Sequence, residues 1–185
     1  KEGMKVLDIG CGWGAMAKFL ATKYKVSVVG YTLSKEQAAY CRKHCEGLDV
    51  EIRLDDYRNA VGKYDRAYSI GFAEHVGIQN FRAYYEVVER CLVDGGMHLV
   101  HAITIRDKSQ TRLHQWIDKY IFPGGELLLP WEYMEQADGL LETEDVHNIG
   151  AHNYTMTLLA WDKIFDKNWP NLKENYGKQL NGTFY

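Results

Sequence analysis

The 185 residues contain no apolar run near the length of roughly 20 that a membrane-spanning helix needs. No stretch within them has the pattern of a signal peptide. A basic excess is missing too: 22 Lys and Arg stand against 25 Asp and Glu, a net charge of −3. That balance leaves no broad electrostatic footprint for nucleic acid. Cysteine is limited to Cys11, Cys41, Cys45 and Cys91, which fits reduced thiols in an intracellular protein better than a disulfide framework. Cys41, His44 and Cys45 are metal-ligating residue types, but the helical periodicity around them favours ordinary helix packing. Repeats and low-complexity tracts are absent. What remains has the size of one domain, 1–185, with 46% apolar residues to build a core.

One further absence concerns a ligand. Val6-Leu7-Asp8-Ile9 is a short apolar run that ends in Gly10-Cys11-Gly12-Trp13-Gly14. This reads as a buried strand, a tight turn and the opening of a helix. Glycines permit positive φ and let a ligand approach the main chain, and such a crevice in an α/β sheet takes nucleotide-like ligands. The spacing is G-x-G-x-G, not the dinucleotide G-x-G-x-x-G. A NAD site also calls for an acid about 20 residues past its glycines. Position 30 is Gly, and Thr32 and Gln37 are the polar groups available. NAD loses ground.

Strand and helix patterns alternate along the chain. Strands are expected at 26–29, 50–54, 64–70 and 97–104, with helices at 13–24 and from the Ser34-x-x-Gln37 capping box to Cys45. Phe81, Tyr84, Tyr85, Val88 and Leu92 mark another helix. The order predicts a doubly wound α/β fold with a mostly parallel sheet. Beyond an aromatic segment at 105–130 come a weak helix at 131–137, a sixth strand at 140–146 and a helix from Tyr154. Leu158, Trp161, Ile164 and Phe165 form a stripe on that last helix, read as core.

Glu74 and His101 fall near the carboxyl ends of the fourth and fifth strands, where both side chains can reach one crevice beside the glycine turn. Each also has a structural reading, Glu74 as a helix cap and His101 as a hydrogen-bonded interior histidine. Alternation puts His98 and His101 on opposite faces. His75, next to Glu74 in an extended backbone, points elsewhere and reads as structural.

The runs V-L-D-I-G-C-G-W-G, V-S-V-V-G-Y-T-L-S-K-E-Q, C-E-G-L-D-V, S-I-G-F-A-E-H-V-G and W-I-D-K-Y-I-F-P-G-G together resemble the cyclopropane-fatty-acyl-phospholipid synthases. These are S-adenosylmethionine-dependent methyltransferases of the class I, Rossmann-like type, with a seven-stranded sheet. The resemblance implies cofactor contacts at Asp8, Gly10 and Gly12, at Thr32, Leu33 and Gln37 on the ribose side, and at Asp56 and Tyr57 for adenine. It implies a bicarbonate held by Glu74, His101 and Tyr154, with main chain from Ile103. It also implies an unsaturated phospholipid as substrate, met peripherally at a membrane surface from the cytoplasm, and leaves a homodimer open.

A cis alkene is a poor nucleophile, so the sulfonium methyl must be held close, in line and away from water. Ring closure needs a proton removed from the added methyl, which a bound bicarbonate can take. Trp116, Tyr120 and Phe122 are candidates for an acyl channel, or for a packed lid segment. Two alternatives stand beside this reading: a small-amine N-methyltransferase on the same scaffold, and a non-catalytic cofactor-binding fragment. Only two or three residues precede the first strand, and nothing marks an ending at Phe184-Tyr185. No final antiparallel strand can be placed after Tyr154. The chain is therefore expected to be a fragment of a longer enzyme, inactive or weakly active alone.

Overall fold

The computed structural model describes residues 1–110 and 115–180, with the side chains of 110 and 174–180 left aside. Two compact units divide the chain, Lys1–Thr143 and Glu144–Tyr185.

The first unit is built on five parallel strands, β1 (Lys5–Ile9), β2 (Ser27–Thr32), β3 (Val50–Leu54), β4 (Tyr64–Ile70) and β5 (Leu92–His101), in the order β3-β2-β1-β4-β5. β1 is central, and every residue after Lys5 is buried, as expected of a strand covered on both faces. Helices α1 (Ala15–Tyr24), α2 (Lys35–His44) and α3 (Phe81–Cys91) connect the strands. Two short helices follow β5, α4 (Gln115–Tyr120) and α5 (Pro130–Ala137). The expected α/β architecture is present. Its strand order reverses between β1 and β4, where ligands of such sheets bind.

The larger core lies around α3, which buries Phe81, Tyr84, Tyr85, Val87 and Val88 against Leu7, Ile9, Leu128 and Tyr133. On the other face Val6, Ala17, Val26, Val28 and Tyr68 pack together. Cys41 joins Cys11, Ala38 and Ile52 in a third cluster.

Three expectations need correction. β5 starts at Leu92, not at residue 97: the chain runs through Asp94-Gly95-Gly96 with a register shift opposite Tyr64 and Arg66. An irregular step absorbs the extra residues there without ending the pairing. Residues 140–146 form no strand. Leu140 and Leu141 N–H both go to Ala137 O, closing α5, while their side chains lean on the core. The apolar character read as a strand is a helix end packing down.

The third correction concerns the second unit. Its helix α6 (Ala151–Leu180) begins before Tyr154 and carries Pro170 inside it. Leu158, Trp161 and Ile164 are exposed at 46%, 57% and 60%, not core. Within this unit no other helix or strand is described against which the stripe could pack.

Candidate active site at the carboxyl edge of the sheet

The turn after β1 uses three left-handed glycines, Gly10, Gly12 and Gly14, at φ 79°, 52° and 77°. Gly10 and Cys11 N–H both donate to Tyr31 O, at 3.1 and 3.0 Å, fastening the turn to the end of β2. Any side chain on Gly10 would collide with the Phe72 ring, whereas Gly12 faces open space. Packing demands the first glycine; ligand approach is what the second offers. Cys41 Sγ donates to Gly12 O at 3.2 Å from below. Gly14 caps α1 without a side-chain bond, so the first-turn N–H groups stay open.

Asp8 lies beneath this turn, 2% exposed, and does not line the cleft. The Tyr68 hydroxyl donates to its Oδ2 at 2.6 Å. Burial raises the Asp8 pKa to about 7, although the Tyr68 bond pulls the other way. Asp8 is an internal support of the turn.

At the end of β2 the Thr32 hydroxyl donates to Gln37 Oε1 at 2.8 Å and accepts Ser34 N–H at 3.2 Å. The expected capping box is half built. Ser34 Oγ accepts Gln37 N–H at 3.2 Å, but the Gln37 amide turns to Thr32 instead of back to Ser34. Leu33 is largely exposed at 73%. After β3, Asp56 accepts from Arg58 through both side chain and main chain, the closest contact at 2.6 Å. The Arg58 hydrogen bonds hold its carboxyl below the usual range. The Tyr57 ring meets Phe72 edge-on at 5.4 Å. Gly10, Thr32, Leu33, Asp56 and Tyr57 thus line one cleft, with Gln37 one hydrogen bond away.

His75 and Asn80 also line that cleft, and the sequence reading missed both. Residues Ala73–His75 form a 3-10 turn, in which successive side chains diverge by about 120° and not the 180° of a strand. The EH pair was the available signal, read with the wrong backbone.

On this turn Glu74 is buried at 9% exposure. Its Oε1 accepts Ile103 N–H at 2.8 Å, while Oε2 has no hydrogen-bond partner. A buried acceptor left unmet costs about 1–3 kcal/mol, so the second oxygen points to a polar visitor. Ile103 main-chain N–H is committed to Glu74. Glu74 O accepts Glu126 N–H at 2.8 Å, and Glu126 Oε2 accepts Ile78 N–H at 2.8 Å. The capping duty considered for Glu74 falls to Glu126.

The His101 side chain is exposed on the same face of β5 as Met97 and Leu99, and makes no hydrogen bond to Glu74 among the described residues. His98, facing the other way, shares a 2.8 Å hydrogen bond with the Tyr84 hydroxyl, which shares another of 2.7 Å with Ser69. Burial lowers the His98 pKa to about 3, so the ring is neutral. This internal chain was not foreseen; one polar residue at an inward position of each of β4, α3 and β5 is its only trace. Tyr154 is on the first turn of α6 in the second unit, 40% exposed. In the segment after β5, Trp116 and Tyr120 are 5.8 Å apart on α4, which buries none of its residues. The Phe122 ring stands 5.9 Å from His75.

Comparison with known proteins bears on the family and the fold. The chain is 44% identical over 184 residues to the cyclopropane-fatty-acyl-phospholipid synthase of Escherichia coli (strain K12), covering all of this chain and 48% of that protein. It spans about half the length of that relative. The structure of the cyclopropane synthase MmaA2 from Mycobacterium tuberculosis superposes with a TM-score of 0.85 at 29% identity, over 94% of this chain and 67% of that one. The mycolic acid cyclopropane synthase CmaA1, solved with SAH and CTAB, gives a TM-score of 0.66 at 31% identity, over 74% and 54% of the two chains. The fold is that of the class I S-adenosylmethionine-dependent methyltransferases. Since the family model described as mycolic acid cyclopropane synthetase also matches residues 1–185 throughout, this chain belongs to that family.

Proposed function

We propose that this chain holds the cofactor site and the reaction centre of an enzyme that adds a methylene across a cis double bond of a phospholipid acyl chain. S-adenosylmethionine is the methyl donor and bicarbonate the base. The observation that carries the reading is Glu74 Oε2, a buried carboxylate oxygen without a partner beside the glycine-turn cleft.

The residues present fit both groups. The open side of Gly12 and the uncapped start of α1 suit the amino-acid end of the donor. Thr32 and Gln37 are placed for ribose hydroxyls, and Tyr57 with Asp56 for the adenine. When bound, the donor supplies an electrophilic methyl. Bicarbonate supplies a base near a cation that no protein carboxylate need touch. Glu74 accepts a hydrogen bond from that anion and is itself oriented by Ile103 N–H; His101 is a further holder. Phe122 over His75 narrows the approach to the cleft and helps exclude water. No helix among the described residues is long and apolar enough to cross a membrane. In this proposal the lipid is met at a membrane surface, from the cytoplasm.

The test is Glu74→Gln in the full-length protein, supplied with labelled donor, bicarbonate and unsaturated phospholipid vesicles. Label recovered in cyclopropane lipids should fall at least about 100-fold, while calorimetric affinity for the donor stays within about twofold. Wild-type turnover in the variant would refute the role of Glu74.

A further inference from the structure

Two buried side-chain atoms in the described structure make no hydrogen bond: Glu74 Oε2 and the Tyr133 hydroxyl. Both residues are more than nine-tenths buried, at 9% and 7% exposure. Tyr133 rises from α5 and packs its ring edge-on against Phe81 at 5.0 Å, at the start of the helix that follows the Glu74 turn. Leu128, just ahead of α5, bridges Thr104, the neighbour of the Ile103 whose N–H holds Glu74. Glu126 N–H is bonded to Glu74 O. These bonds tie together the three segments that carry or flank the two residues, at 73–75, 103–104 and 126–133.

Their chemistry is complementary. Burial, and then the charge of Glu74, keep the Tyr133 phenol protonated well above its ordinary range. Among the described residues nothing accepts the Tyr133 hydroxyl proton. Glu74 Oε2 accepts and the phenol donates, yet they do not bond to each other. Whatever meets both must offer a proton to one and a lone pair to the other. A metal cation cannot accept, and a fully ionised anion cannot donate. Hydrogen carbonate does both from a rigid triangle of oxygens.

We propose that Tyr133 is a further anion-holding residue of this site, donating a hydrogen bond to the hydrogen carbonate whose own O–H is accepted by Glu74 Oε2. The inference rests on the function proposed above and adds a residue to it. The phenol keeps its proton throughout; its work is to fix the anion and spread its charge.

Tyr133→Phe in the full-length protein removes one oxygen and leaves the ring on Phe81. Binding of carbon-13-labelled bicarbonate, followed by NMR line width, should weaken about tenfold, equivalent to about 1.4 kcal/mol. KM for bicarbonate should rise by a similar factor, with kcat at saturating bicarbonate and donor affinity within about twofold. As a second variant, 3-fluorotyrosine at position 133 keeps the shape and makes a stronger donor, so it should tighten bicarbonate binding. Equal bicarbonate affinity in wild type and both variants overturns the role of Tyr133 while the Glu74 reading stands. Wild-type protein that neither binds bicarbonate nor needs it for turnover overturns both. A Tyr133→Phe protein that is more heat-stable yet unchanged toward bicarbonate marks a dry core phenol, and also overturns the proposal.

Discussion

The lining of the cleft and the buried region around Glu74 and Tyr133 handle their polar groups in opposite ways. On the glycine-turn side the first-turn N–H groups of α1 stay open, but the other polar groups are satisfied internally: Gly10 and Cys11 by Tyr31, Thr32 by Gln37 and Ser34, Asp56 by Arg58. On the Glu74 side, one carboxylate oxygen and one phenol are buried and unmet. A large ligand with its own binding energy can exchange those internal bonds for its own. Under the proposed function the other side takes a small anion, which has little energy to spend and needs a site left waiting for it. The difference separates a surface that recognises from one that is preorganised.

Gly10→Ala should break the recognising side outright. The added methyl collides with Phe72 at a backbone φ of 79°, so either the turn or the ring must move. Calorimetry should show donor affinity reduced by more than about 100-fold, with thermal stability lowered by about 2–4 kcal/mol. An unchanged affinity would mean the turn does not form the cradle.

A smaller effect, with a sign, belongs to Asp8. Its folded pKa of about 7 lies above the ordinary 3.8, so the folded state retains a proton that the unfolded chain gives up. The stability linked to Asp8 is full below pH 3.8 and is lost as pH rises toward 7. Asp8→Asn keeps an acceptor for Tyr68 and has no charge to bury. Denaturant unfolding should show the variant gaining on wild type between pH 4 and 7 by about 2 kcal/mol. His98 acts with the opposite sign. Its pKa is lowered from 6.5 to about 3, so its stability is lost as pH falls through that range. Only the difference between variant and wild type isolates Asp8, and a flat difference would show its carboxyl ionised.

Thr32→Val is the mildest probe. It removes the donor to Gln37 and the acceptor for Ser34 N–H, for a loss of about 1 kcal/mol in thermal or denaturant unfolding. Donor affinity should fall about five- to tenfold. A loss of affinity with no loss of stability would show that the Thr32 bonds form only around the ligand.

Features written in consecutive residues were legible before the structure. Gly10 to Gly14, the buried run of β1, the helical stripe of α3 and the Ser34 cap each follow from local spacing. The errors arose where partners decide. Leu140 and Leu141 have strand-like composition, but their N–H groups are used to end α5. Trp161 and Ile164 have core-like spacing, but among the described residues of its own unit α6 has no neighbour to bury them. His75 was misplaced because a 3-10 turn and a strand direct a neighbouring pair differently. Glu74 was visible as a motif, but its orientation by Ile103 spans 29 positions of sequence, and Tyr133 is one of 13 tyrosines in a weakly helical stretch. No periodicity connects those three.

Glu126 gives its N–H to Glu74 O and takes Ile78 N–H on its own carboxylate, so it binds the reaction-centre turn at both ends. Both bonds run from Glu126 to the 74–78 stretch, so separating those two segments breaks them together. In amide hydrogen exchange, the protons of Ile78, Ile103 and Glu126 should therefore be lost at one common rate, as a single opening unit. Solvent entry to the buried carboxylate then has one gate with one free energy, and under the proposed function the same opening sets how often bulk water reaches the reacting groups.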